Sequence, residues 1–374
     1  MQFTVSSTLL LNRLSAVSSV ISSKPMMQIL GNVLFEVNDN KLRLTGTDLE
    51  LTLSSVIDVE DASGNISIAM PPQILRDTLR ELSEQNVRFE INEENLAVVM
   101  RTNNGKYDFI GFKGGEFPTL PQVEGESNKI TTTADIIFNG ISRTLFATAV
   151  EDLRPTMTGI YLDITTDSIT FVATDAHKMS RIINTTSHAD SDCSVILPKK
   201  AANTLKNIFA KAKDAATIEF DAKNIFINNE EYALIVRKIE GRYPNYKSVI
   251  PTNNPYDIVV DRLAFTAAVK RVAVYTTAST GLMRLDVLKG NLRLTAQDID
   301  FSTSALEQVT CQYDGEPLSI GFKAQLLSEI LACIASDNVI LRLADQTRAG
   351  IVLPAENLEN EDLLMLLMPM MLPE

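Results

Sequence analysis

The chain has 374 residues, 45% hydrophobic and 22% charged, with a formal net charge of −13 at pH 7. That balance excludes a disordered or fibrous chain, and the acidity taken alone speaks against a nucleic-acid binder. Cys193, Cys311 and Cys333 are few, odd in number and far apart, which argues for a reducing cytoplasm and against a zinc or disulfide framework.

The first residues carry neither a basic nor an apolar targeting stretch. A short strand over residues 2–5 leads into a helix over 7–21, where Leu10, Leu14, Val17 and Ile21 fall at helical spacing. Lys24-Pro25 stops it, because the residue before proline disfavours helical backbone. Alternating residues 32–37 and 41–46 flank Asn38-Asp39-Asn40 as a hairpin, with a small turn expected at Gly46 and a further strand over 49–59. Residues 66–69 run into a second helix over 72–82, opened by Pro72, whose missing N–H costs nothing at a first helical position. Residues 87–91, 96–101 and 107–112 follow as a meander. Further helices are expected over 134–150, 199–213, 261–277 and 323–335. The run 363–372 is apolar but only about half as long as a membrane span.

The pattern around Thr47-Asp48-Leu49-Glu50 returns as Thr174-Asp175-Ala176-His177 and as Gln297-Asp298-Ile299-Asp300. Asp48 to Asp175 is 127 positions, and Asp175 to Asp298 is 123. Pro71, Pro198 and Phe322 keep the same step, as do Glu116-Phe117-Pro118, Arg242-Tyr243-Pro244 and Leu367-Met368-Pro369. Repetition at a fixed period identifies three copies of one unit, expected at residues 1–125, 126–250 and 251–374. Each copy combines two helices with a multi-stranded sheet, an α+β layer. A lone copy leaves sheet edges open, and joining copies edge to edge pairs them.

The six predicted helices hold thirteen Lys and Arg against five Asp and Glu, so the rest of the chain is strongly acidic. Arg76 and Arg80 share a helical face, and Lys199, Lys200 and Lys206 cluster on another helix. This asymmetry points to helices that tolerate a polyanion on a body that repels it. No aromatic residues interleave these charges for base stacking, and no Arg/Asn/Gln cluster suits base-edge readout. Binding would therefore be to backbone phosphate and without sequence preference. As a catalytic alternative, Asp48 with Glu50 and Asp298 with Asp300 could hold Mg²⁺. Copy two breaks that pattern with Asp175-Ala176-His177, and the chain has neither a P-loop, a nucleophile elbow nor HExxH. Turn capping is the simpler role for these aspartates.

Ile29-Leu30-Gly31-Asn32, Leu44-Thr45-Gly46-Thr47-Asp48-Leu49-Glu50, Ala173-Thr174-Asp175-Ala176-His177, Gly241-Arg242-Tyr243-Pro244 and the ending Met368-Pro369-Met370 together resemble the bacterial DNA polymerase III beta subunit family. The resemblance implies a head-to-tail homodimer closing a ring of six domains, helices inside and sheets outside, without cofactor or catalysis. It implies an encircled DNA duplex and a cytoplasmic, nucleoid-associated protein with no membrane partner. The implied protein partners are the replicative polymerase alpha subunit, a clamp-loader complex, repair and translesion polymerases, mismatch-repair proteins and ligase. Residue by residue, it maps a partner-peptide pocket to Met157, Thr174, Ala176, His177, Lys178, Met179, Pro244, Val249, Leu366, Met368, Pro369, Met370 and Met371. It maps DNA contacts to Lys24, Arg80, Lys199 and Lys200, to which the charge pattern adds Arg76 and Lys206. The dimer contacts map to Tyr107 and Phe109 facing Val274 and Tyr275. Where the family often has glycine, arginine and leucine, this chain has Ala176, Lys178 and Met179. Arginine is common where Ser248 and Met371 stand, so the pocket is expected to be more apolar and less cationic.

Overall fold

Six helices divide the chain into three repeats: α1 Ser7–Ser18, α2 Pro72–Arg80, α3 Ala134–Thr144, α4 Lys199–Ile208, α5 Arg262–Ala273 and α6 Ala324–Ala332. The structure is a computed structural model and describes residues 1–150, 153–298 and 300–372. Among the described residues, each repeat runs strand, helix, four or five strands, helix, then three or four strands. Every helix stops short of its expected end. Serine and threonine hydroxyls explain two of these stops, because they bond the backbone in place of the next turn. Ser18 Oγ donates to Leu14 O and Ser19 Oγ to Ala16 O, while Thr144 Oγ1 donates to Gly140 O at 2.7 Å. The shortened helices still carry ten basic residues against three acidic ones.

Packing groups the chain into two units, Met1–Asp135 with Asn203–Lys238, and Ile136–Ala202 with Ile239–Glu374. In the first unit, a five-stranded sheet runs Glu60–Ser63, Gln2–Ser6, Asn86–Ile91, Ala97–Arg101, Lys106–Ile110. A second sheet includes Val33–Asn38, Lys41–Thr47 and Leu51–Asp58, followed by Tyr232–Arg237, Asn224–Asn228 and Ala215–Phe220. Its seam is antiparallel, Leu51 opposite Val236 through Ser55 opposite Tyr232, and joins copy one to copy two edge to edge. Arg13 of α1 clasps Glu231 beside that seam with two hydrogen bonds and lies 5.0 Å from the centre of the Tyr232 ring. The hairpin at Asp39 and Asn40 has both residues at positive φ, 49° and 59°, as a two-residue turn of matching twist requires.

Gly46 corrects the sequence reading. It is not a turn but lies inside Lys41–Thr47, and the chain reverses after Thr47. A Cβ at Gly46 would stand 2.6 Å from the carbonyl oxygen of Val17, so glycine is there to let α1 reach the sheet. Gly46→Ala should lower unfolding stability by about 1–3 kcal/mol, the usual cost of overpacking. A denaturant midpoint unchanged from the parent would mean that α1 can move away freely.

In the second unit, one antiparallel sheet runs Cys193–Pro198, Gly159–Thr165, Ser168–Thr174, Lys178–Asn184, Glu361–Leu367, Gly350–Pro354, Asn338–Leu343, Tyr256–Asp261 and Thr303–Gln312, then continues through copy three. Its seam pairs Lys178 with Leu367 through Asn184 with Glu361, joining copy two to copy three as the first seam joins copies one and two. The apolar run near the tail is thus mostly an inner strand: Leu363, Met365, Leu366 and Leu367 are buried, and exposure begins at Met368. No helix among the described residues is long and apolar enough to cross a membrane.

Candidate partner-peptide site and basic helices

The second seam ends at a turn built by two side chains. Asp175 Oδ1 accepts from the N–H groups of His177 and Lys178, both at 2.9 Å. Thr174 Oγ1 accepts from Ala176 N–H and donates to Lys178 O at 2.8 Å. These bonds hold Ala176 at φ 76°, where a non-glycine residue is strained. Copy one repeats the device: Asp48 Oδ1 accepts from Glu50 and Leu51 N–H, with Leu49 at φ 79°. In copy three Asp298 Oδ1 accepts from Asp300 and Phe301 N–H, while Ile299 lies outside the described residues. The aspartates cap turns, and the described residues contain no cluster of three or more His, Cys, Asp and Glu placed to hold a metal.

Around this turn the sheet face carries a cluster of Val172, Met179, Ile196, Tyr243, Tyr246, Ala349 and Leu366, with Tyr161 and Ile250 packed against it. Tyr161 stacks on Tyr243 with centroids 4.7 Å apart. The Tyr243 hydroxyl accepts from Thr174 N–H at 3.1 Å, and the Tyr246 hydroxyl donates to Asp163 at 2.6 Å. Burial pushes both phenols well above their ordinary pKa, so both remain neutral donors and acceptors. In the sequence Tyr243 serves as a repeat landmark and as part of a family motif; the trio itself was missed, since Tyr161 lies far from Tyr243 and Tyr246 in the chain.

The mapped pocket residues divide by depth. Met157, Met179 and Leu366 are buried, while Thr174, Pro369 and Met370 are half-buried. Ala176, His177, Pro244, Val249, Met368 and Met371 are exposed. Met368 N–H donates to His177 O at 2.9 Å, and Met370 N–H donates to Gly321 O at 2.8 Å, so the tail is pinned beside the turn. Lys178 departs from its expected role as a polar contact. Its side chain is 8% exposed, and its ammonium is bound to Glu329 at 2.7 Å.

The three parts of the chain match the family models of the DNA polymerase III beta subunit: N-terminal domain over residues 1–121, central domain over 131–245 and C-terminal domain over 247–371. The chain belongs to the DNA polymerase III beta subunit family. It is 29% identical over 354 residues to the beta sliding clamp of Synechococcus elongatus, covering 91% of this chain and 92% of that one. To the clamp of Pseudomonas aeruginosa it is 27% identical over 373 residues, covering 100% of both. The structure of the Pseudomonas aeruginosa clamp bound to griselimycin superposes with a TM-score of 0.92 at 26% identity. That of the Bartonella birtlesii clamp bound to griselimycin gives 0.89 at 25%. Both cover 100% of each chain. Three tandem clamp domains of α+β build make the fold, and the function is that of a DNA sliding clamp, a non-catalytic processivity subunit for a DNA polymerase.

In the first unit of this beta-subunit chain, Lys24 is exposed in the loop after α1, and Arg76 and Lys206 are half-buried on α2 and α4. Arg80 is exposed and paired with Asp77 at 3.1 Å. In the second unit, Lys199 and Lys200 open α4. Two lysines at a helix N-terminus oppose the helix dipole, which argues for a purpose other than helix stability. Tyr107 and Phe109 lie half-buried on the outermost strand of the five-stranded sheet, whereas Val274, just past α5, is 79% exposed and Tyr275 is 40% exposed.

Proposed function

We propose that two copies of the chain close head to tail into a ring of six domains around duplex DNA, and that the copy two–copy three seam takes the clamp-binding peptides of its partners. Those partners are the replicative polymerase alpha subunit, the clamp loader, repair and translesion polymerases, mismatch-repair proteins and ligase. The setting is the cytoplasm, at the nucleoid, and the three domains span 1–125, 126–250 and 251–374.

The observation that carries the ring is the repeated seam. The last strand of copy two pairs with Leu51–Asp58 of copy one, and the last strand of copy three pairs with Lys178–Asn184 of copy two. That leaves the copy-one counterpart of those strands, Lys106–Ile110, with a partner on one side only among the described residues. In copy three, Thr303–Gln312 pairs along its length with Asn291–Asp298 but meets Tyr256–Asp261 only at Cys311 and Gln312. The two open edges are the counterparts of the two joined ones, and a second copy satisfies both. Equivalent positions set the register, with Phe109 opposite Thr303 and Tyr107 opposite Ala305. Val274 and Tyr275 complete the contact.

Lys24, Arg76, Arg80, Lys199, Lys200 and Lys206 would meet phosphates only, giving weak binding that falls steeply with salt through counterion release. Topology, rather than affinity, would hold the clamp. Once loaded by the clamp loader with ATP, the chain should stay on nicked circular DNA through gel filtration and leave when the circle is cut. Equal retention on both forms would end the ring reading.

A further inference from the structure

Glu329 of α6, we propose, is a positioning residue for the peptide site, acting through the buried ammonium of Lys178; the proposal rests on the peptide-site reading above. Lys178 Nζ lies 2.7 Å from Glu329 Oε2 and 3.5 Å from Asp175 Oδ2, with the Phe146 ring centre 5.7 Å away. The other Glu329 oxygen accepts from Gln325 Nε2 at 3.0 Å, which orients the carboxylate along α6. An ammonium this deep must keep its counter-charge, so the pair fixes where Lys178 sits. Lys178 is the hinge of the site. Its N–H completes the Asp175 cap, it opens the strand opposite Leu367, and the preceding carbonyl of His177 receives the Met368 N–H. The exposed walls, Ala176 and His177 on one side and Met368 on the other, therefore both hang from a residue anchored in copy three.

Copy one shows that the turn itself does not need this charge. Leu51 occupies the position of Lys178, donates to Asp48 Oδ1 in the same way, and is buried with an apolar side chain. A buried ion pair is a weak source of stability compared with apolar packing of the same volume. Its presence at this turn, where copy one has only Leu51, marks it as a means of setting the height and angle of that turn. Without Glu329, the ammonium has Asp175 as its remaining carboxylate, and drawing closer to it pulls the cap away from the His177 and Lys178 N–H groups.

The test uses the full-length clamp with Glu329→Gln, which keeps the shape of a partly exposed side chain. Binding of a clamp-binding peptide from the polymerase alpha subunit should weaken about tenfold, mainly through faster dissociation. Amide exchange at His177 and Lys178 should quicken while that of Val172, in the neighbouring strand, stays constant. In a Lys178→Met background, adding Glu329→Gln should change neither readout further, since the residue through which Glu329 acts is gone. Equal losses from Glu329→Gln in both backgrounds would show that it acts by another route. Unchanged affinity with unchanged exchange, in a protein whose parent binds the peptide, would overturn the proposal. A parent that fails to bind the peptide would instead overturn the peptide-site reading, and the exchange arm would still decide whether Glu329 positions the turn.

Discussion

Replacing Val274 and Tyr275 by aspartate is expected to give folded monomers that sediment at half the mass of the parent. Val274 is 79% exposed and Tyr275 is 40% exposed at the end of α5, and exposed apolar residues of this size in one place call for a partner. The open strand Lys106–Ile110 carries Tyr107 and Phe109 on one face and Ile110, 73% exposed, on the other. Centrally buried aromatic residues commonly cost about 2 kcal/mol or more each when lost. Losing Tyr275 together with the burial of Val274, about 1.5 kcal/mol or more, weakens dimerisation by at least a hundredfold, and a desolvated aspartate adds to that. The fold should survive, because neither side chain belongs to the core of copy three. Sedimentation velocity distinguishes the outcomes, with far-UV circular dichroism to confirm folding. A variant that remains dimeric would place the interface elsewhere. Ala305→Lys provides an independent check of the register, because only pairing with Lys106–Ile110 sets Ala305 opposite Tyr107. The Arg271–Glu307 pair beside it, at 2.7 Å, is internal to copy three and should persist in the monomer.

The three-copy layout was legible in the sequence because the capped turn demands particular chemistry. Thr47-Asp48 and Thr174-Asp175 spend a hydroxyl and a carboxylate on the same backbone N–H groups, so they recur at a fixed step. Helix stripes were equally plain, since Leu10, Leu14 and Val17 are buried as their spacing implies. Gly46 misled because glycine has two uses, and only a neighbouring carbonyl, here that of Val17, distinguishes close approach from a turn. Helix ends were overrun because charge and periodicity continue past the point where Ser18 and Thr144 hydroxyls bond the backbone. The aromatic support of the candidate site was not legible: the loop and short turn holding Tyr243 and Tyr246 fold back onto Tyr161, which lies in a strand some eighty residues earlier. Lys178 shows the same limit. The resemblance maps it to the pocket, while Glu329, 151 positions away, holds its ammonium inward.

Removing residues 368–374 should abolish peptide binding while leaving the dimer intact. Leu367 ends the buried strand, Met368 is 42% exposed beside the turn, and Met371 is 81% exposed beyond it, with Pro373 and Glu374 outside the described residues. Methionine suits a site that accepts several partners, since its thioether adapts to different side chains. Losing two such anchors, each contributing about 1.5–3 kcal/mol when covered by a ligand, weakens binding at least a hundredfold. The truncation also removes the Met370–Gly321 backbone bond, which could disturb the strand Leu318–Lys323 on its own account. Met368→Asp with Met370→Asp keeps that backbone and should lose the peptide as completely. Fluorescence anisotropy with a labelled peptide from the polymerase alpha subunit measures both variants, and sedimentation follows the dimer in the same samples. Affinity equal to the parent in either variant would rule out the tail as a wall of the site. Met371→Arg tests the outer rim. If Met371 borders bound peptide, acidic peptides should gain over neutral ones, and the gain should shrink at high salt as screening shortens the reach of an exposed charge. An unchanged ratio would mean that the chain beyond Met370 turns away from the ligand, leaving Met368 to set specificity on this side of the site.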